Sequence, residues 1–136
     1  MDIRIGNRIY CVFVLILFMW TSCTNSSISE MEELVGIPMK EALNPICDEC
    51  HWNDFNGNGY KIEVYHISQK YLKRYGSVFK SSGFCEYDPT MWKQSEIYPY
   101  IKNSNGLYKI FNKNDEIKYV FLNMSACTII YFVNIL

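Results

Sequence analysis

Chemistry-bearing patterns are scarce in this chain. There is no Gly-x-Ser-x-Gly, no phosphate-cradling glycine loop and no His-Glu-x-x-His, which removes the commonest serine-hydrolase, nucleotide-binding and zinc-protease readings. Asp and Glu are spread along the chain, adjacent only at Glu32-Glu33, Asp48-Glu49 and Asp115-Glu116, and no carboxylate pair is proposed for acid–base work. Histidine occurs only twice, as His51 and His66. Lys and Arg total 13 against 14 Asp and Glu, with no block of like charge, and nucleic-acid recognition would need a basic face. Past the N-terminus no apolar run approaches the roughly 20 residues a bilayer span requires. The closing stretch Thr128–Leu136 is rich in Ile, Val, Tyr and Phe but too short, and reads as a buried strand. No internal repeat is visible. The expectation is a domain that is no enzyme, carries no cofactor and binds no nucleic acid.

What is present is concentrated at the start. Arg4 and Arg8 precede the apolar run Ile9–Trp20, and Thr21, Ser22 and Cys23 follow. A basic lead, a short apolar core and small residues before a cleavage point describe a secretory signal peptide. A cysteine directly after Thr-Ser points to the bacterial lipoprotein variety. Residues 1–22 are expected to be removed and Cys23 to carry the lipid. Trp20 stands where such sites usually carry Leu, and an uncleaved N-terminal anchor is the alternative. Residues 23–30, with Asn25, Ser26, Ser27 and Ser29, read as a polar tether. Residues 31–136 are long enough for one domain with one core. The expected place is the bacterial cell envelope, with the membrane as partner through the lipid and an envelope protein or other ligand as a further partner.

The chain has six cysteines. Cys11 leaves with the signal and Cys23 is lipidated. Cys47, Cys50, Cys85 and Cys127 then permit two disulfides in any of three connectivities; the alternative is four small buried hydrophobes.

Ser29-Glu30-Met31-Glu32 fits a capping box for a short helix to Leu34, stopped by Gly36 and Pro38. Ile46–Trp52 reads as a strand, Asn53–Gly59 as a turn-rich loop and Tyr60–Ile67 as a second strand with one covered face. Ser68 is placed to cap a helix Gln69–Tyr75 that Gly76 ends. The stretch Ser77–Lys102 is the least regular, with Trp92 as its packing anchor. Leu107–Asn112, Glu116–Asn123 and Thr128–Ile135 form a meander. Together these give an α+β fold: a small antiparallel sheet of about five short strands, with one main helix packed on one face.

Three motifs invite chemistry. Cys47-Asp-Glu-Cys50-His51 matches the attachment signature of c-type haem, in which two thiols bond the vinyl groups and the His ligates iron. Its plain alternative is a strand bearing two cysteines, or a redox-active disulfide. Asp54, Asn56, Asn58 and Gly59 match the opening of a calcium loop, but the twelfth position is Tyr65 rather than a bidentate Glu, which favours a solvated hairpin loop. Cys47, Cys50, His51 and His66 match zinc by ligand type.

Residues 51–67, with His51, Phe55, Gly57 and Gly59 before an apolar strand, resemble a group of small, often exported bacterial proteins of unknown function. Trp92, Asn105-Gly106-Leu107-Tyr108 and the Tyr-rich stretch Tyr119 to Tyr131 extend the resemblance over roughly residues 44–136. It implies a fold and an exported setting, and no activity. Asn56 and Asn58 stand where that pattern has His and Asp. The leading functional expectation is a lipid-anchored, non-catalytic binding domain, its binding loop carrying His51, Trp52, Asp54, Phe55, Asn56 and Asn58. A redox, haem or metal protein using Cys47, Cys50 and His51 is the second reading, and an immunity-type lipoprotein the third.

Overall fold

A computed structural model describes residues 27–53, 58–113 and 115–135. The chain divides into two units, Met1–Pro38 and Met39–Leu136. In the first, residues 27–35 form helix α1. Ser29 therefore lies inside the helix rather than capping it, and residues 27–30 are helical rather than tether. Gly36 takes the left-handed conformation (φ 83°) and its N–H donates to the Glu32 carbonyl, closing the helix. The signal segment, Cys23 and the remaining tether residues fall outside the described residues.

The second unit is built on one antiparallel sheet. Its elements in chain order are β1 (Leu43–Asn53), β2 (Asn58–Ile67), α2 (Gln69–Ser81), β3 (Cys85–Glu86), a 3-10 turn (Pro89–Trp92), the one-turn helix α3 (Tyr98–Ile101), β4 (Gly106–Lys113), β5 (Glu116–Asn123) and β6 (Thr128–Ile135). The spatial order is β1-β2-β6-β5-β4-β3. The α+β class and the antiparallel sheet agree with the sequence. The count is six strands rather than five, because Cys85–Glu86 pairs briefly with Leu107 and Tyr108.

The register sorts side chains onto two faces. Ile62 and Val64 lie across from Phe132 and Ile130, which lie across from Tyr119 and Phe121. Tyr87, Trp92, Ile97 and Ile101 close over this face. Trp92 meets Tyr108, Tyr119 and Phe121 edge-on at 5.3–5.6 Å, so it is the anchor expected of that irregular stretch. The opposite face carries Glu63, Tyr65 and Ile67 on β2, and Ile129, Tyr131 and Val133 on β6, all buried. Strand β2 is thus covered on both sides, not on one; sequence alternation marks Glu63 as solvent-facing only because it is charged.

Helix α2 runs five residues past Gly76. Ser68 sits at its N-cap, yet its side chain makes no capping bond. The helix ends instead at Gly83, in the left-handed region at φ 89°. Phe84 N–H donates to the Phe79 carbonyl and Gly83 N–H to that of Lys80, the Schellman pattern, and the Phe84 and Phe79 rings stack at 4.4 Å across it. Phe84 in turn meets Phe111 of β4 at 6.4 Å, and Lys109 Nζ donates to the Ser82 carbonyl. These contacts seat the end of α2 over β4.

Candidate functional site

Three places carry polar groups worth weighing. One is the β1–β2 hairpin expected from the sequence to bind. His51 and Trp52 lie on β1 opposite Tyr60 and Gly59, and Asn58 opens β2 opposite Asn53. Asp54, Phe55 and Asn56 fall outside the described residues. The calcium reading fails on architecture: Tyr65 lies far along β2, buried, with its hydroxyl on Glu63 at 2.5 Å. A calcium loop of that type needs its twelfth residue folded back onto the ion.

The cysteine motif also changes meaning. Cys47 and Cys50 stand on an extended strand, across from Val64 and Lys61 respectively, and so on opposite faces of the sheet. Their Cα atoms are about 10 Å apart at strand rise, beyond disulfide reach. Two thiols on opposite faces cannot attach one haem edge. His66, exposed, pairs with Asn44, which leaves it on the face of Cys47 but not of Cys50. No group of three metal-ligating side chains occurs among the described residues. Cys85 lies at the other edge of the sheet, about 24 Å across, and Cys127 in the β5–β6 turn. All four are free thiols, and three are exposed, which corrects the expectation of two disulfides and also that of buried hydrophobes.

The second place is a clamp at the β1 edge. Glu49 accepts hydrogen bonds from Tyr100 at 2.5 Å and Tyr60 at 3.1 Å. Cys47 Sγ lies 3.9 Å from the Tyr100 hydroxyl. The bond to Glu49, then burial, lift the Tyr100 phenol well above the ordinary tyrosine range; burial, then Glu49, lift Tyr60. Raised phenols are neutral donors at any physiological pH, so the two tyrosines act here as hydrogen-bond donors to Glu49 and fasten β1 to α3.

The third place is a groove of about 530 Å³ between α2 and the end of the sheet where β4 begins and β5 turns into β6. That size is typical of small-molecule sites. One wall is α2, with Lys73, Gly76, Ser77 and Lys80; the other is Glu86, Asn105 and Gly106; Tyr87, Leu107 and Met124 supply apolar surface. The two glycines have different reasons to be there. A Cβ on Gly106 would sit 1.9 Å from the Leu122 carbonyl oxygen, so the strand pairing itself requires glycine. A Cβ on Gly76 would meet only the end of the Met124 side chain, at 3.4 Å. Gly76 has ordinary helical φ, and a mid-helix glycine costs about 0.5–1 kcal/mol relative to Ala. Gly76 is buried in the helix face that meets Met124, so its missing side chain lets the Met124 methyl pack closely beside the groove.

Helix α2 bears Lys70, Lys73, Arg74 and Lys80, all exposed, and no acidic residue. Sequence reasoning missed this site because it took Gly76 as the helix end. The available signal was the apolar spacing Leu72, Tyr75, Phe79, which continues through Gly76 to a second glycine at 83. Comparison with protein-family models, curated proteins and solved structures gives no match.

Proposed function

We propose that this protein is a lipid-anchored, non-catalytic binding domain of the bacterial cell envelope, tethered through Cys23, and that the groove beside α2 is its binding surface. The observation that carries the reading is the groove itself, about 530 Å³ between α2 and the strand ends, with Lys73, Ser77 and Lys80 on one wall and Tyr87, Leu107 and Met124 supplying apolar surface. The N-terminal pattern of Arg4, Arg8, Ile9–Trp20 and Cys23 supports the address. Among the described residues no helix is long and apolar enough to cross a membrane. The resemblance to small exported bacterial proteins is compatible with this setting.

The redox and haem reading draws no support from β1, where Cys47 and Cys50 diverge. Metabolic labelling with palmitate tests the anchor: label is expected in the wild type and absent from Cys23→Ala. Label that persists in the variant overturns it. The same preparation is expected to show neither a Soret band nor stoichiometric zinc, and either signal would replace a binding role with a cofactor chemistry.

A further inference from the structure

We infer that the groove takes a small anionic ligand, one with a carboxylate or phosphate group and an apolar body. This rests on the groove being the binding surface and goes beyond it by naming the ligand class. The charge comes first. Lys73 and Lys80 sit two helical turns apart, about 10.5 Å along the axis, and both line the groove with Ser77 between them. Lys70 and Arg74 extend the stripe along the same helix. None of these four cations has an ion pair among the described residues, and α2 has no carboxylate of its own to neutralise them. A helix that concentrates unpaired cations on one exposed stripe destabilises itself slightly by repulsion between neighbours three and four apart. An incoming oxyanion relieves that repulsion and gains charge-assisted hydrogen bonds.

The apolar part follows from the floor. Leu107, the Tyr87 ring and the Met124 thioether form it, and methionine adapts readily to the shape of a ligand. Glu86 on β3 is the groove's carboxylate and faces it from the wall opposite α2. It disfavours a second anion there, so the ligand's negative group belongs against the helix and its uncharged body against the strands. Gly76 lies on the helix wall, where an added Cβ would meet the Met124 methyl at 3.4 Å.

The experiment uses the full-length protein in a non-ionic detergent, labelled with 13C at methionine methyls, with Met124 assigned by Met124→Leu. Three probes are titrated: phenyl phosphate, inorganic phosphate and benzyl alcohol. Phenyl phosphate is expected to shift the Met124 methyl saturably and to bind at least tenfold more tightly than benzyl alcohol, with inorganic phosphate between them. Lys73→Ala with Lys80→Ala is expected to lower phenyl phosphate affinity at least tenfold. Gly76→Leu is expected to abolish the shift, while Gly76→Ala raises the melting temperature and weakens binding. Benzyl alcohol binding as well as phenyl phosphate, or an affinity untouched by loss of both lysines, overturns the anionic class yet leaves the groove as a binding surface. Silence of Met124 towards all three probes overturns both.

Discussion

The sharpest prediction concerns two tyrosines on the same sheet face that should respond in opposite directions to the same substitution. Tyr131 lies in the middle of β6, fully buried, across from Glu63 and Val120. Its hydroxyl has no hydrogen-bond partner among the described residues. A buried hydroxyl without a partner costs about 1–3 kcal/mol. Tyr131→Phe keeps the ring and removes only that oxygen, leaving a gap smaller than a methyl group that costs under about 1 kcal/mol. The net expectation is a gain of about 1 kcal/mol, or roughly 4–8 °C for a domain near 100 residues. Tyr65 on β2 is also buried, but its hydroxyl donates to Glu63, which Lys61 holds at 2.7 Å on its other side. Tyr65→Phe deletes a charge-assisted bond and strands part of a buried carboxylate, for a loss of about 1.5–3 kcal/mol. Urea titration reads both as shifts of the midpoint at constant slope. A midpoint that falls or stands still in Tyr131→Phe, or one that rises in Tyr65→Phe, would refute the reasoning about this face.

Three more predictions follow from the same contacts. Burial, then the bond to Glu63, raise the Tyr65 phenol; burial, then the carboxylates Glu116 and Glu63, raise that of Tyr131. Both exceed the unfolded value near 10, so the folded state holds more protons at high pH. Stability from this source is complete below about pH 10 and falls as pH rises above it, by up to about 1.4 kcal/mol per pH unit for each phenol. Stability followed against pH should show that fall in the wild type and a shallower one in the double Phe variant. Glu49→Ala removes the acceptor shared by Tyr60 and Tyr100 and should cost about 1–3 kcal/mol, with amide exchange in β1 rising before that in β5 and β6; uniform exchange across the sheet would contradict the clamp. Gly106→Ala should fail to accumulate as folded protein, since its Cβ meets the Leu122 carbonyl oxygen; a folded, soluble variant would show that β4 is placed wrongly.

The meander was legible because Asn- and Asp-bearing turns bound short segments rich in β-branched and aromatic residues, the last of them a continuous apolar run buried on both faces. The second and third strands, 116–123 and 128–135, have the expected limits, and the first, 106–113, is longer by one residue at each end. The hairpin of β1 and β2 was legible for the same reason. Helix α2 was found but cut short at Gly76, since a glycine inside a helix and a glycine after one look alike until the next turn is counted. Gly83 is the true stop because Phe84 and Phe79 can stack across it. β3 escaped notice: two residues have no periodicity. Glu63 was misassigned because a charged residue reads as exposed, whereas here a lysine and a tyrosine hydroxyl satisfy it in the interior. The cysteine motif misled in a similar way. Spacing in the chain says Cys47 and Cys50 are neighbours; strand geometry turns them to opposite faces. Only the helical wall of the groove was within reach of the sequence; its other wall, residues 86–87, 105–107 and 124, is brought to α2 by the topology alone.

Intact mass spectrometry of the unreduced protein, purified from its native membrane, tests the central claim of an anchored binding domain most directly. The expected species begins at Cys23, carries lipid there, and has Cys47, Cys50, Cys85 and Cys127 all titratable as free thiols without added haem mass. A chain that retains Met1 and lacks lipid, or one carrying haem or an intrachain disulfide, would contradict it.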